Sequence, residues 1–348
     1  MKLALQLGYW GAQPPADAME RILEAERLGY DTVYTAESWG SDAFTPLAWW
    51  GSQTSTIKLG TSIVQLAGRT PTATAMATLT LDHLSGGRVV LGLGVSGPQV
   101  VEGWYGQPFA KPLARTREYV DIIRQVLARQ GPVTNDGPHY PLPYHGPGSL
   151  GIGKALKSIT HPLRADVPIL LGAEGPKNVA MTAEIADGWL PIYYSPKVAA
   201  MYRGWLAEGF ARPGARQKPE SFEIQTNCQV VVTPSLAEID DTLDAMKPYL
   251  AFYIGGMGAK DMNFHKDVFG RMGYEAEVEV IQDLFFDGKR EEAIAAVPRE
   301  MVADISIVGP PEKIRDDLDM WKEAGITSLV VGARTADELR QTAEVVLG

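Results

Sequence analysis

Cysteine is almost absent from this chain, which has 348 residues and a single cysteine, Cys228. One thiol cannot form a disulfide within the chain, and such scarcity is typical of a reducing compartment, so we expect a cytoplasmic protein. Histidine is scarce as well. The five histidines form no H-E-x-x-H motif and have no carboxylates at ligand spacing, so no metal site is predicted.

Long apolar runs are also missing. No stretch approaches the ~20 apolar residues of a membrane-spanning helix, and the apolar run at the start is too short for a secretion signal, so we expect no membrane partner. The 32 Lys and Arg residues are outnumbered by 42 Asp and Glu residues, for a net charge of −10. This balance disfavours nucleic acid as a partner, although a small anionic ligand can still bind at a local site.

What the chain does contain is a regular alternation of short apolar segments with longer amphipathic ones. Runs such as VVLGLGV, PILLGA and SLVVGA are typical of parallel strands buried on both faces, and helical periodicity follows them. Eight such units predict an α/β fold, a (β/α)8 TIM barrel. We expect one domain, residues 1–348, with insertions at about 131–166 after strand four and 251–300 after strand seven, both candidates for lids. The predicted strands cover 3–9, 32–37, 57–64, 88–95, 167–173, 188–194, 222–233 and 328–333.

The segment RVVLGLGVSG places Gly92, Gly94 and Gly97 in the pattern G-x-G-x-x-G, which is typical of dinucleotide-binding loops. Its context disfavours an NAD enzyme. Three βα units precede it, the residues after Gly97 are interpreted as loop, and the acid at the expected distance, Glu118, lies inside a helix. We therefore expect the glycines to let backbone approach a flat ligand at the carboxyl-terminal mouth of the barrel, where barrel active sites lie.

Several segments together resemble the luciferase-like flavin and deazaflavin oxidoreductases, most closely the branch that uses coenzyme F420. They are GYDTVYTAE, TLTLDHLSGGRVVLGLGVSG, VEGWYG, ARTREYV and GPKNVAMTAEIADGW. The resemblance covers nearly the whole chain and is strongest over residues 1–195. It implies a TIM barrel whose mouth holds the ring of coenzyme F420, with FMN as the alternative. It also implies hydride transfer to or from a small-molecule substrate, and a homodimer.

The same resemblance implies where the cofactor lies. In deazaflavin relatives, strand three ends in a bulge with a non-proline cis peptide behind the ring, and this position falls on Ser62 and Ile63. The end of strand four, Val95, Ser96 and Gly97, would flank the ring. The segment AEGPKN would hold the phosphate or tail, since a helix begins there and helix amino termini bind anions. Its residues are Ala173, Glu174, Gly175, Pro176, Lys177 and Asn178.

Three residues are candidates for catalysis. Glu37 is the first candidate to handle a proton or to bind the ring, because acids at strand carboxyl ends of barrels are often functional. It is followed by Ser38, where sugar-phosphate-oxidising relatives carry a histidine. Those relatives also carry a Glu near the place of Gly97, so a sugar phosphate substrate is in doubt. Glu102 is the second acid.

The residues leave several functions open. The first hypothesis is an F420-dependent oxidoreductase acting on an alcohol, a carbonyl compound or a similar small molecule. The alternatives are a luciferase-like monooxygenase that uses reduced FMN and oxygen, and a non-catalytic deazaflavin-binding protein. Aromatic side chains near the mouth, Tyr9, Trp10 and Trp39, either line the substrate pocket or serve only in packing.

Overall fold

Eight parallel strands close into a barrel in the computed structural model, which describes residues 1–348. The order around the barrel is β1-β2-β3-β5-β6-β7-β8-β11, with β11 returning to β1, and this confirms the predicted TIM barrel. The strands are β1 (Lys2–Gly8), β2 (Thr32–Thr35), β3 (Lys58–Thr61), β4 (Val64–Gln65), β5 (Val89–Gly94), β6 (Ile169–Gly172), β7 (Gly188–Trp189), β8 (Glu223–Asn227), β9 (Gln229–Val232), β10 (Ser306–Gly309) and β11 (Ser328–Val331).

Helices surround the barrel and also form a separate group between β9 and β10. None of them combines the length and the apolar character that a membrane crossing requires. They are α1 (Ala18–Arg27), α2 (Phe44–Gly51), α3 (Pro71–Ser85), α4 (Pro98–Gly103), α5 (Pro112–Ala128), α6 (Pro176–Ile185), α7 (Ala199–Phe210), α8 (Ile239–Gly256), α9 (Phe264–Phe269), α10 (Glu275–Phe286), α11 (Arg290–Ala295), α12 (Arg299–Ala303), α13 (Pro311–Glu323) and α14 (Ala336–Val346).

The ends of α3 show how local sequence sets these elements. Thr70 accepts a hydrogen bond from the Ala73 N–H (3.3 Å), and Pro71 occupies the first turn, where its missing N–H costs nothing. Gly86 ends the helix in the left-handed conformation at φ 68°, which glycine adopts without a steric penalty. The residues at both ends of α3, which connects β4 to β5, therefore define where this helix begins and ends.

A small apolar cluster fills the barrel interior, while a larger core of 73 buried residues lies between the strands and the helices. Ile63 packs on the interior cluster from the mouth side. Because side chains fill the barrel, a ligand can bind only at its mouth. The interior residues are Ala4, Tyr34, Val90, Leu170, Leu190 and Val330.

Two predicted strands are broken in the structure. The run predicted as strand three divides at Ser62 and Ile63 into β3 and β4. The run 222–233 divides at Cys228, and its second half, β9, leaves the barrel to pair with β10. β10 lies outside every predicted strand. A continuous apolar run shows that a strand is buried but does not show against which neighbour it pairs.

The segment 131–166 follows the outer helices over most of its length. It contains no helix or regular strand and packs along the outside of α5 and α3. The Thr134 N–H donates to Gln125 Oε1 (3.2 Å), Arg129 Nε to the Ser158 carbonyl (2.8 Å), and Arg164 Nη2 to Asp82 Oδ1 (2.5 Å). Most of its polar groups therefore pair with the outer helices, but His139 and Tyr140 share the wall of a cavity with Arg69 and Val95, so a lid role for this segment stays a prediction.

The helical group α8 to α12, by contrast, lies against the mouth, and we call it the lid. Its contacts reach three loops that follow barrel strands. Tyr253 Oη lies 3.4 Å from Tyr9 Oη, the rings of Phe264 and Phe109 stack with centroids 6.2 Å apart, and Arg271 Nη1 donates to the Glu174 carbonyl (3.3 Å).

Candidate active site

The floor of the mouth is the bulge between β3 and β4. The Ser62–Ile63 peptide bond is cis, at the position implied by the resemblance. The Ser62 N–H donates to the Thr35 carbonyl (2.7 Å), and the Glu37 N–H donates to the Ile63 carbonyl (3.1 Å). These bonds tie the bulge to the end of β2. Ser62 and Ile63 are both half-buried, so the bulge remains accessible from the mouth.

Two of the motif glycines make room for this bulge. A Cβ atom at Gly92 would lie 1.9 Å from the Thr61 carbonyl oxygen, and one at Gly94 would lie 2.8 Å from Ile63 Cδ1. Their function is therefore close packing of strands. The expectation that they give a flat ligand direct access to the backbone is wrong, because Thr61 and Ile63 already occupy that space.

The carboxyl end of β5, the predicted strand four, also differs from expectation. The residues after Gly97 form the short helix α4, where the sequence analysis interpreted a loop. Gly97 itself has an ordinary φ of −103°, whereas Ser96 is left-handed at φ 61°. A non-glycine residue in that region is uncommon and clusters at functional sites. Val95, Ser96 and Gly97 are each half-buried at the mouth.

Glu37 is buried and fully engaged with the protein. Its side chain is 3% exposed, and its carboxylate accepts hydrogen bonds from the Ala43 N–H (3.3 Å) and the Gln65 N–H (3.0 Å). Arg69 forms an ion pair with the same carboxylate. Because these donors come from both sides of the bulge, Glu37 joins the end of β2 to the segment after β3. This geometry favours a positioning role over proton transfer.

The other two catalytic candidates are less enclosed. Ser38 is half-buried at the end of β2, next to Glu37. Glu102 is exposed on α4, and its carboxylate accepts a hydrogen bond from the Phe109 N–H (3.3 Å). That bond stabilises the loop after α4. Glu102 is therefore not brought together with Glu37.

The loop between β6 and α6 presents unpaired backbone donors. No side chain caps α6, and the N–H groups of Lys177 and Asn178 have no acceptor in the protein. The space beside Gly175 is open, with no atom within 4 Å of a Cβ placed there. Pro176 and Lys177 are exposed and Asn178 is half-buried, whereas Ala173 is buried. An anion at this helix terminus would meet free N–H groups and the positive end of the helix dipole.

Glu174 is the acid that the loop holds at its start. Its Oε1 accepts a hydrogen bond from the Ile192 N–H (2.9 Å), which connects the ends of β6 and β7. Burial raises the pKa of Glu174 from its ordinary value of 4.5 to about 8, and the Ile192 N–H and Arg271 only partly offset that rise. The carboxyl group is therefore mostly protonated at neutral pH.

Sequence reasoning missed several residues that the fold brings to the mouth. Arg69 reaches Glu37 from the segment after β4, and Arg271 reaches Glu174 from the lid. Tyr193, Tyr253 and His265 pack together where the lid meets the barrel. No motif marks these residues, since their contacts join segments that are far apart in the sequence.

A cavity of about 400 Å³ adjoins the mouth between the ends of β4 and β5. Its wall includes Val95 and Phe109 and the cations Arg69 and Arg115. No cluster of three or more His, Cys, Asp or Glu side chains that could hold a metal ion occurs in the structure.

The residues at the mouth fit a long, flat, anionic cofactor such as a deazaflavin or a flavin. Ile63 and the bulge offer a half-buried apolar floor for a ring. The open space at Gly175 and the uncapped amino terminus of α6 offer donors for a phosphate. One elongated ligand could engage both, because the bulge and α6 lie on either side of β5 in the barrel.

Comparison with known proteins agrees with this geometry. A family model for luciferase-like monooxygenases matches residues 4–328. The chain is 61% identical over 346 residues, 99% of both chains, to a Mycobacterium tuberculosis protein assigned as a coenzyme F420-dependent oxidoreductase. It is 27% identical to the 5,10-methylenetetrahydromethanopterin reductase of Archaeoglobus fulgidus, covering 92% of this chain and 91% of the reductase.

A solved structure gives the same result. The coenzyme F420-dependent tetrahydromethanopterin reductase of Methanopyrus kandleri superposes with a TM-score of 0.80 at 25% identity, covering 99% of this chain and 98% of that chain. Fold, bulge and sequence similarity over nearly the full length therefore agree, and the chain belongs to the luciferase-like monooxygenase family.

Proposed function

We propose that this protein is a coenzyme F420-dependent oxidoreductase that transfers a hydride between the deazaflavin and a small organic substrate. The observation that carries the proposal is the pairing, at one mouth, of an apolar floor at Ile63 with open amides at the amino terminus of α6. The 61% identity to an assigned F420-dependent oxidoreductase supports this cofactor over FMN.

The residues that would hold the cofactor are those that surround this floor. Ser62 and Ile63 would support the ring, and Val95, Ser96 and Gly97 would flank it. The loop from Ala173 to Asn178 would bind the phosphate and tail through backbone N–H groups, with Lys177 as a nearby cation. When bound, the deazaflavin supplies two-electron hydride chemistry, and the protein supplies position and surroundings.

The chain's own groups prepare the site in two ways. Glu37 and Arg69 hold the bulge in place from behind, and the neutral Glu174 leaves the phosphate end of the mouth without a negative charge. Glu37 and Ser38 stay predictions as catalytic residues, as does Glu102.

A cofactor titration tests the proposal. The purified protein is mixed in turn with F420 and with FMN. We expect it to bind F420 with a Kd in the low micromolar range or below, and the change in deazaflavin absorbance measures that binding. The Lys177→Ala variant should bind F420 more weakly, while Lys154→Ala, an exposed lysine in the segment outside α5, should bind it like the wild type. Binding of FMN without binding of F420 would overturn the proposal.

Turnover separates an enzyme from a storage protein. With F420 bound, a panel of alcohols and ketones is expected to include at least one compound that changes the redox state of the cofactor. Binding of F420 without turnover across a broad panel of small organic compounds would support the non-catalytic alternative.

We also propose a homodimer located in the cytoplasm. Leu150, Ile152 and Ile159 are 85%, 81% and 94% exposed in a segment without regular secondary structure, and such apolar side chains favour cover by a second copy. Cys228 is buried and unpaired, which is compatible with a reducing compartment.

A further inference from the structure

Five phenol and imidazole side chains form a cluster where the lid meets the barrel. Tyr9 and Tyr193 follow β1 and β7, and they therefore come from the carboxyl ends of barrel strands. Tyr249 and Tyr253 lie on α8 and His265 on α9. The Tyr253 ring packs against Tyr193 and His265, with centroids 6.1 Å and 5.0 Å away. None of these five residues is among those that would hold the cofactor.

Two hydroxyl groups of this cluster converge across the mouth. Tyr9 Oη and Tyr253 Oη are 3.4 Å apart, which is long for a hydrogen bond between hydroxyls. Only one proton can lie between two oxygens, so at least one of the two O–H groups is free to donate to a third atom. Tyr9 is 40% exposed and Tyr253 is 7% exposed, so the pair is open from one side.

Further polar atoms of the cluster also lack partners. His265 Nδ1 is buried and makes no hydrogen bond in the protein, and the buried Tyr193 hydroxyl has the Tyr249 hydroxyl as its neighbour. Buried polar atoms are nearly always paired in folded proteins, with protein groups or with a bound molecule. The unpaired His265 nitrogen beside a pair with a spare donor indicates a place that a ligand completes.

The cluster carries no charge at neutral pH. Burial raises the pKa of the Tyr9 and Tyr253 phenols above their ordinary value, and burial lowers the pKa of His265 to about 4. Nearby cations of the lid are engaged elsewhere, since Lys266 pairs with Glu279 (2.7 Å) and Arg271 bonds the Glu174 carbonyl. The cluster therefore offers hydrogen-bond donors and apolar surface, but no counterion for a charged ligand.

We propose that the Tyr9–Tyr253 pair binds the oxygen atom of an uncharged carbonyl or alcohol substrate and supplies or accepts its proton. This proposal rests on the proposed function of the same site and names its substrate class. Phenols suit the task, because a neutral O–H donor stabilises the negative charge that develops on a carbonyl oxygen. They need not ionise to bind the ketone.

In the reductive direction, the reduced deazaflavin, when bound, would supply the carbonyl carbon with a hydride, which brings two electrons and one hydrogen. The carbonyl oxygen takes a proton from one phenol, so that the C=O double bond becomes a C–O single bond with new C–H and O–H bonds. An alkoxide is more basic than a phenolate, so this transfer is downhill. The phenolate regains its proton from solvent at the exposed Tyr9.

The test uses acetophenone as a probe and needs no turnover. With oxidised F420 bound, the ketone cannot be reduced, and its carbonyl stretch in the infrared reports hydrogen bonds to its oxygen. We expect a shift to lower wavenumber in the wild-type protein. Tyr9→Phe and Tyr253→Phe should each lose part of that shift and weaken acetophenone binding about fivefold, as expected for one hydrogen bond. The double variant should lose all of the shift.

Tyr202→Phe is the matched control. Tyr202 is 3% exposed, and its hydroxyl is also buried and unpartnered, but it packs against Trp189 and Trp205 on the outer side of the barrel. It should leave the shift unchanged. Thermal unfolding checks that each variant folds, and Tyr9→Phe, at a partly exposed position, carries the test if Tyr253→Phe does not fold.

The outcomes distinguish this proposal from the proposed function. An unchanged carbonyl shift in both phenylalanine variants overturns the role of the pair. Tighter binding of phenylacetate than of acetophenone overturns the uncharged substrate class. If the protein does not bind F420, the proposed function fails, and the same infrared measurement on the apoprotein still decides whether the pair binds a ketone.

Discussion

Two carboxyl groups at the mouth have different surroundings, and this sets what each can do. The buried Glu37 carboxylate accepts hydrogen bonds from two backbone N–H groups and pairs with the Arg69 guanidinium. The half-buried Glu174 accepts one backbone N–H, and desolvation raises its pKa to about 8 although Arg271 lies nearby. The sequence predicts Glu37 as the group that handles a proton, whereas the acid whose pKa the structure raises is Glu174.

The Glu174→Gln substitution should change how stability depends on pH. Because the folded pKa of about 8 lies above the ordinary value of 4.5, the stability that the protonated group contributes is present below pH 4.5 and lost as the pH rises through 8. Glutamine keeps the acceptor for Ile192 and does not titrate. Relative to wild type, the variant should gain about 2 kcal/mol between pH 5 and pH 9, a figure discounted because the side chain is partly exposed.

Chemical denaturation at the two pH values measures this gain. The same substitution should flatten the pH dependence of F420 binding, since the wild type acquires a negative charge beside the phosphate above pH 8. Parallel stability curves for variant and wild type from pH 5 to pH 9 would contradict the prediction.

The Arg69→Met substitution tests the ion pair at Glu37. It leaves a carboxylate with 3% exposure without its counterion, which should cost about 3 kcal/mol of unfolding free energy. Glu37→Gln should cost about 2 kcal/mol, because its amide cannot accept every hydrogen bond that the carboxylate accepts. Urea unfolding measures both costs.

Cofactor binding then separates two roles for Glu37. A positioning residue predicts that Glu37→Gln weakens F420 binding together with stability. A proton-handling residue predicts unchanged F420 binding with slower turnover and an altered solvent isotope effect. The second result would restore the original prediction for this residue.

At the scale of elements, the decisive feature is the bulge at the end of β3. Gly92 and Gly94 on β5 leave the space that Thr61 and Ile63 occupy, so two neighbouring strands must carry matched sequences. A motif that looks like a nucleotide-binding loop therefore records strand packing. Because the bulge is the floor for the proposed ring, the packing of Gly92 and Gly94 against it shapes the proposed cofactor site.

Two alanine substitutions within the same motif should differ sharply. Gly92→Ala places a Cβ 1.9 Å from the Thr61 carbonyl oxygen, a backbone atom that cannot move freely, and should cost about 3 kcal/mol. Gly97→Ala meets only the flexible Gln99 side chain at 3.1 Å, at an ordinary φ, and should change stability by less than about 0.5 kcal/mol.

Thermal unfolding and F420 titration of the two variants provide the measurement. The Gly92→Ala protein should also bind F420 more weakly, because the bulge must shift. Equal behaviour of the two variants would show that the motif glycines have no separate functions.

At the scale of the whole molecule, the two insertions make different contacts with the barrel. The lid reaches across the mouth and brings aromatic side chains to it, whereas residues 131–166 pack mostly against the outer helices. The outer segment exposes the large apolar side chains Leu150, Ile152 and Ile159, which form the proposed dimer surface. None of these three is among the residues that would hold the cofactor.

The Ile159→Asp substitution should convert the dimer to a monomer. Ile159 is 94% exposed, so a charge there costs nothing in an isolated chain but disfavours burial against a second copy. Leu236→Asp is the control, since Leu236 is also 65% exposed but lies between β9 and α8. Sedimentation velocity gives the mass of each variant. A wild-type monomer, or a dimer in the Ile159→Asp variant, would contradict the proposed surface.

The sequence by itself determined the barrel and the family. Buried parallel strands and amphipathic helices have local periodicities, and caps such as Thr70 and Gly86 act within one turn. Segments such as GPKNVAMTAEIADGW keep a recognisable order, because each lies at the end of a strand where the site is built. The resemblance likewise implies the cis peptide at Ser62 and Ile63, and the structure has it there.

Only the tertiary structure decided which side chains meet at the mouth. Glu37 with Arg69 and Glu174 with Arg271 are contacts between separate segments. No local pattern encodes the strand break at Cys228 or the fold of the lid, because both depend on long-range packing. Burial, which sets the raised pKa of Glu174 and the free hydroxyl of the Tyr9–Tyr253 pair, is a property of the whole fold and is absent from any short stretch of sequence.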